Sequence, residues 1–251
     1  MGMTGGALVL ADADVGEELT THLIAHHRED LAAVVTISEN RISALARHKG
    51  IATFVFQGTA RLLEELQRWD LQIDVGYLLW WPHIIDEQLL ETATRGFFNT
   101  HPSLLPHARG KHYNFWTIVE RAPFGVTIHS VSKSIDSGDI VAQAPIPYGW
   151  TDTGETLYRK AKREMINLFV ETYPLLRTGR VERIPQTLSA GSFHRAAEMD
   201  AASVIDLERT YTARDFLNLL RARTFAGYPA CRFLEAGCVY EVRVDIRKVS
   251  P

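Results

Sequence analysis

Short apolar runs rich in Val, Ile and Phe recur through the first two thirds of the chain. They lie at 7–11 (ALVLA), 32–37 (AAVVTI), 52–56 (ATFVF), 73–81 (IDVGYLLWW), 96–99 (GFFN) and 124–131 (FGVTIHSV), and each predicts a strand. Between them, 16–27, 40–48, 59–68 and 86–94 carry apolar residues on one helical face, as Leu62, Leu63 and Leu66 do beside Glu64, Glu65 and Arg68. Strand and helix alternating at this cadence predict βαβ units, hence an α/β fold with a mostly parallel sheet covered on both faces.

The clearest helix signal runs over 152–176: Asp152 and Glu155 stand at capping-box spacing, and Leu157, Ala161, Met165 and Leu168 form an apolar stripe. Pro174 is expected to kink or end it. After Gly179 come a polar connector through about residue 200, a short helix over 212–223, and two alternating runs in CRFLEAGCVYEVRVDI around Glu235-Ala236-Gly237, which predict a β-hairpin. The chain therefore divides into a main domain over 1–180 and a small α+β module over 181–251.

Composition narrows the function classes. With 251 residues, 46% hydrophobic and 23% charged, the chain is an ordinary globular one. A net charge of −3 and a pI near 6.4 lack the basic footprint of a nucleic-acid binder. No run approaches the ~18 apolar residues of a membrane span, and the N-terminal MGMTGGALVLADAD is acidic where a secretory leader is basic. The expectation is a cytoplasmic protein with its two cysteines, Cys231 and Cys238, reduced.

Chemistry concentrates in FFNTHPSLLPHARGKHYNFW, residues 97–116. Asn99, His101 and Ser103 occupy every second position after an apolar run, so an extended backbone would turn all three to one face. The SKSIDSGD segment at 132–139 also follows a predicted strand, and ligands of open parallel sheets sit beyond the carboxyl ends of strands. An amide, an imidazole and a carboxylate suit acyl transfer to an external amine: an N–H for a developing oxyanion, a base for the proton, and an anion to orient the base. His129 looks placed on a strand leading to the site, with a buried structural histidine as its other reading. His101, His107, His112 and His129 lack the i, i+4 helical pairing of a zinc site, and no metal is expected.

N-x-H-P-S-L-L-P, then G-V-T-I-H, then I-D-S-G-D-I resembles, in order and spacing, the folate-dependent formyltransferase family over about residues 73–180. The resemblance implies a Rossmann-like domain and 10-formyltetrahydrofolate as co-substrate. Asn99 would polarise the formyl oxygen, His101 would act as general acid/base, and Asp136 would support His101 and proton movement. The loops holding Trp81, Pro82, His83 and Ile84, and Ser132, Ile135 and Asp136, would receive the pterin.

The acceptor is read from departures within the family. Ala11-Asp12-Ala13-Asp14 stands where enzymes acting on glycinamide ribonucleotide carry a glycine-rich phosphate turn, and its carboxylates would repel phosphate. The tail is short for a tRNA-binding domain. RGKHYNFW at 109–116 and LLRARTFAGYPACRF resemble instead the nucleotide-sugar N-formyltransferase branch, although Asn114 stands where a proline is expected. This implies a GDP- or dTDP-linked amino-dideoxy sugar as acceptor, in O-antigen or lipopolysaccharide biosynthesis. Ser103, Arg109, Lys111, Tyr113, Asn114, Arg223 and Tyr228 are the substrate-binding candidates. For Arg221 and Arg223 a solvated helix end is the other reading. A homodimer is expected through the hairpin edge at 238–246. The alternatives are a methionyl-tRNA formyltransferase-like enzyme, a formyltetrahydrofolate hydrolase-like enzyme, and an inactive folate- or nucleotide-binding module.

Overall fold

Each apolar run named above becomes a strand in the computed structural model, which describes residues 5–249. The first residues of the N-terminal stretch, 1–4, lie outside them. In chain order the elements are β1 (Gly6–Ala11), α1 (Ala13–His26), β2 (Leu31–Thr36), α2 (Arg41–His48), β3 (Ala52–Val55), α3 (Thr59–Arg68), β4 (Ile73–Leu79), α4 (Glu87–Leu90) and β5 (Phe97–His101). They continue with β6 (Arg109–Gly110), α5 (Tyr113–Glu120), β7 (Gly125–Ser130), β8 (Ile140–Pro145), α6 (Gly154–Thr178), β9 (Phe193–His194), α7 (Glu198–Ala202), α8 (Ala213–Ala222), β10 (Cys231–Glu235) and β11 (Cys238–Val242).

Seven strands form one sheet in the order β3-β2-β1-β4-β5-β7-β8. The pairs from β3 to β5 are parallel, and β5 meets β7 antiparallel. By contacts the chain divides into two compact units. One comprises residues up to 101, 127–143 and 165–186; the other comprises 102–126, 144–164 and the residues from 187 onward.

The core of the first unit joins Leu8, Leu10, Val35, Leu62, Leu66, Leu78, Trp81, Leu89 and Phe97. Strand β4 is buried on both faces, which is why 75–79 reads as a continuous run rather than an alternation; the one charged residue, Asp74, is held by Thr94 (2.8 Å) and Arg95 (3.1 Å). Gly76 within it has no side chain because the Phe97 ring occupies the space a Cβ would need. In the second unit a smaller core joins Ile205, Leu220 and Cys231 with Phe216, Leu219, Phe233 and Val242. The hairpin turns through Ala236 and Gly237, both at positive φ (49° and 78°). Cys231 and Cys238 are both free.

Several local expectations are corrected. The cap of α6 is a reciprocal pair between Thr153 and Thr156, whose hydroxyls each bond the other's backbone N–H at 3.3 and 2.9 Å. Asp152 instead accepts from the Gly149 N–H (2.8 Å), Thr156 (2.9 Å) and Lys160 (3.0 Å), so its carboxylate closes the turn before the helix. Pro174 does not end α6, which runs on to Thr178. The helix expected over 86–94 is a single turn, capped by Asp86 on the Leu89 N–H at 3.1 Å. Strand β8 and helix α5 have no counterpart in the sequence reading, and the polar connector contains β9 and the start of α7.

Candidate active site

Strand β5 lies between β4 and β7, and its antiparallel register with β7 sets Asn99 opposite His129 and His101 opposite Thr127. Strand alternation turns Asn99 and His101 to one face and Thr100 to the other. The Thr100 hydroxyl donates to the Leu78 carbonyl at 2.9 Å and accepts the Trp80 N–H at 3.0 Å. It thereby pins the left-handed bend at Trp80 (φ 58°), where the 80–84 loop leaves the sheet.

The segment after β7 brings in the carboxylate. Asp136 Oδ1 lies 3.4 Å from His101 Nδ1 and 3.6 Å from His129 Nε2. The two imidazoles meet edge to face, centroids 6.1 Å apart, and both residues are buried. His129 Nδ1 sits 2.9 Å from the Ser130 carbonyl, which only accepts, so this nitrogen carries the proton. Its Nε2 then accepts from the Asn99 amide nitrogen at 3.2 Å, which fixes the rotation of the amide about its last bond.

Asp136 holds a left-handed backbone conformation (φ 50°), which costs a non-glycine residue about 1–2 kcal/mol and requires support. Gln186 supplies it: its amide nitrogen donates to the carbonyls of Asp136 (3.1 Å) and Gly138 (2.6 Å). Within the loop, Ser132 and Ser137 bond each other at 3.0 Å and each reaches the Ser134 carbonyl. Lys133 ties the loop to Glu87 of α4 at 2.5 Å.

His101, His129 and Asp136 each offer a ligand-type atom, all within 4.8 Å of one another. The Nε2 of His129 is engaged by the Asn99 amide, so the three atoms do not stand together as the three protein ligands a catalytic zinc uses. The geometry suits proton transfer better than metal binding.

The loop residues split by exposure. Trp81 is buried, edge to face with Phe56 (5.4 Å) and His83 (5.6 Å), and forms wall rather than platform. Pro82, His83, Ile84, Ser132 and Ile135 are exposed, Ile84 to 77% and Ile135 to 44%, leaving apolar surface open on both loops.

The acceptor-side candidates fall in the second unit. Strand β5 ends at His101, so Ser103 does not continue the alternating face, and that expectation is corrected. Pro102 has no N–H for a ladder, the chain bends there, and the Ser103 hydroxyl donates to the His107 carbonyl at 2.7 Å. Arg109 lies in β6 with its guanidinium over the Phe193 ring at 5.8 Å. Lys111 is exposed, Tyr113 opens α5, and Asn114 donates to the Gly154 carbonyl at 2.7 Å. Arg223 pairs with Asp200 at 2.7 Å, and Tyr228 is 61% exposed. Arg221 is no solvated helix end: it is 5% exposed and donates to Asn218 Oδ1 (2.9 Å) and to the carbonyls of Gly149 and Asp152 (both 2.8 Å). Burial, partly offset by Tyr148 and Asp152, draws its guanidinium below the ordinary value.

Sequence reasoning did not include Thr100, His129 or Gln186 among the site residues. His129 was recoverable by pairing GVTIH against FFNTH; Gln186 lies in a connector without any pattern.

Comparison with known proteins agrees with the fold. The family model described as formyl transferase matches residues 8–173, and the model described as N-formyltransferase dimerization C-terminal domain matches 198–248. A sugar N-formyltransferase from a Shewanella species is 20% identical, with TM-score 0.79 over 98% of this chain and 99% of that one. The formyltransferase PseJ from Anoxybacillus kamchatkensis, in complex with UDP-4,6-dideoxy-4-formamido-L-AltNAc and tetrahydrofolate, is 26% identical, with TM-score 0.58 over 78% of this chain and 89% of that one. An N-formyltransferase from Helicobacter canadensis, in complex with folinic acid and dTDP-3-aminofucose, is 19% identical, with TM-score 0.71 over 94% and 85%. With two thirds of its length matched by the family model and its Asn, His and Asp gathered at the carboxyl end of β5, the chain belongs to the formyl transferase family.

Proposed function

We propose that the protein is an N-formyltransferase that moves a formyl group from 10-formyltetrahydrofolate to the amino group of a GDP- or dTDP-linked amino-dideoxy sugar. The observation that carries this reading is the buried His101 imidazole with the Asp136 carboxylate 3.4 Å from its Nδ1, beside an Asn99 amide held in one orientation. The sugar amine attacks the formyl carbon, and the carbonyl electrons move to oxygen, where an Asn99 N–H steadies the charge. His101 takes the proton released by the amine and returns it to the folate nitrogen as the bond from that nitrogen to carbon breaks. Asp136 stabilises the imidazolium between these transfers.

The exposed Ile84 and Ile135 loops support docking of a flat pterin in the first unit. The nucleotide-sugar and folate ligands of the Anoxybacillus and Helicobacter proteins support the acceptor and donor classes. The exposed Leu234, Val239 and Tyr240 on the hairpin, within the segment matched by the dimerization model, support a homodimer. We place formyl transfer in residues 1–180 and subunit pairing in 181–251, in a cytoplasmic enzyme of O-antigen or lipopolysaccharide synthesis. Among the described residues no helix is long and apolar enough to cross a membrane.

The test is mass spectrometry of a panel of dTDP- and GDP-linked amino sugars after incubation with 10-formyltetrahydrofolate, with His101→Ala as control. One sugar gaining a formyl group, with the variant silent, is the expected result. Folate turnover without a formylated sugar overturns the acceptor class.

A further inference from the structure

Three histidines gather at the carboxyl-terminal end of α1, at the opposite end of the parallel strands from His101. His22 and His26 stand four residues apart on the helix, which places them on one face, and their rings lie 4.7 Å apart, centroid to centroid. His27 follows, its ring 6.0 Å from that of His22.

The three are not equivalent. His27 is committed to the fold: its Nδ1 accepts from Arg177 at 3.2 Å, and its ring leans on Tyr173 at 4.7 Å. The neighbouring carboxylates are committed as well, since Arg177 holds Asp30 at 2.7 Å and stands 3.8 Å from Glu29. His22 and His26 form no hydrogen bond or ion pair among the described contacts, and His26 is exposed. Burial, with His26 and His27 alongside, lowers the affinity of His22 for a proton, which favours the neutral ring that binds metals. The carbonyl end of the helix adds a partial negative charge that favours a cation.

We propose that His22 and His26 form a two-point chelate for a late first-row divalent cation, Zn2+, Ni2+ or Cu2+, with water completing its coordination. An i, i+4 histidine pair on a helix is the spacing that lets two imidazole nitrogens reach one ion, and imidazole is the ligand these metals prefer. The site is separate from the catalytic cluster: α1 runs back from the carboxyl end of β1, so its last turn lies at the amino end of β2.

The experiment is isothermal titration of the untagged full chain with zinc chloride and, separately, nickel chloride. It compares wild type with His22→Ala, His26→Ala and the double variant, and includes His129→Ala to account for ions taken up at the other histidine cluster. Alanine favours the helix at both positions, so the variants should fold, and circular dichroism checks this. One ion per chain should bind to wild type and to His129→Ala, about tenfold or more weakly to each single α1 variant, and not detectably at that site in the double variant. Equal uptake by the double variant and wild type, or no uptake by wild type, overturns the assignment.

Discussion

Asn99 and His129 face each other across the antiparallel β5–β7 pair, and the histidine accepts a hydrogen bond from the amide nitrogen at 3.2 Å. The contact makes His129 a positioning residue: the Ser130 carbonyl sets its tautomer, and the tautomer sets which end of the Asn99 amide points toward it. Replacing Asn99 by Ala removes an oxyanion donor and should lower kcat by roughly 10²–10³. His129→Ala leaves the donor in place but free to turn, so its loss of kcat should be smaller, with KM for the folate little changed. Steady-state kinetics of both variants tests the order; equal losses would place His129 in the chemistry itself.

Gln186 acts on Asp136 through the backbone alone, by its bonds to the carbonyls of Asp136 and Gly138. Gln186→Ala should release the left-handed turn and reduce kcat, whereas Gln186→Glu, which presents no N–H to those carbonyls, should do no better. Because the loop is at the surface, the melting temperature should fall by only a few degrees, as expected for about 1 kcal/mol. A large loss of stability with unchanged kcat in the molecules that remain folded would show that the amide serves the fold instead.

The Asp152 carboxyl carries the clearest pH signature. Burial pushes it up, but Lys160, the Gly149 N–H and Thr156 together outweigh burial and hold it below the ordinary value. A carboxyl depressed in the folded state contributes stability above its unfolded pKa and loses that contribution as pH falls through the folded value, here below the ordinary carboxylate range. Asp152→Asn should therefore destabilise the protein at pH 7, by about 2 kcal/mol from weakened charged hydrogen bonds, and its penalty should shrink near pH 3. Denaturant melts at the two pH values check the sign.

The sheet was legible in the sequence because burial on both faces leaves a nearly continuous run without polar alternation, as in Val75–Leu79, and because helices such as α3 keep a strict apolar stripe. The cluster of Asn99, His101 and Asp136 was legible through motif order. What escaped depends on tertiary context. Strand β8 is only half-buried and carries Gln143 and Pro145, so it has no apolar run to detect. The actual α6 cap lay one residue beyond the expected one, because the Asp152 carboxylate serves the Gly149 N–H and Lys160 and meets the first helical turn only through the Thr156 hydroxyl. Arg221 looked like a solvated end because nothing local shows that Gly149 and Asp152 turn their carbonyls toward it.

Arg221 yields the last prediction. Its guanidinium is nearly inaccessible, donates through Nε and Nη1 to three oxygens, and lies 5.2 Å from the Trp150 ring and 6.0 Å from Tyr148. Removing it would leave the Asn218 side-chain oxygen and two carbonyls to find new partners or remain unpaired in a buried setting, at about 1–3 kcal/mol for each one left unsatisfied. Arg221→Ala should therefore cost about 3 kcal/mol or more. Arg221→Lys should recover little, because an ammonium is a single point donor that cannot span the separate oxygens served by two arms of the guanidinium. Thermal unfolding of both variants decides it: if lysine restores most of the stability, charge rather than the planar fork holds this corner of the second unit.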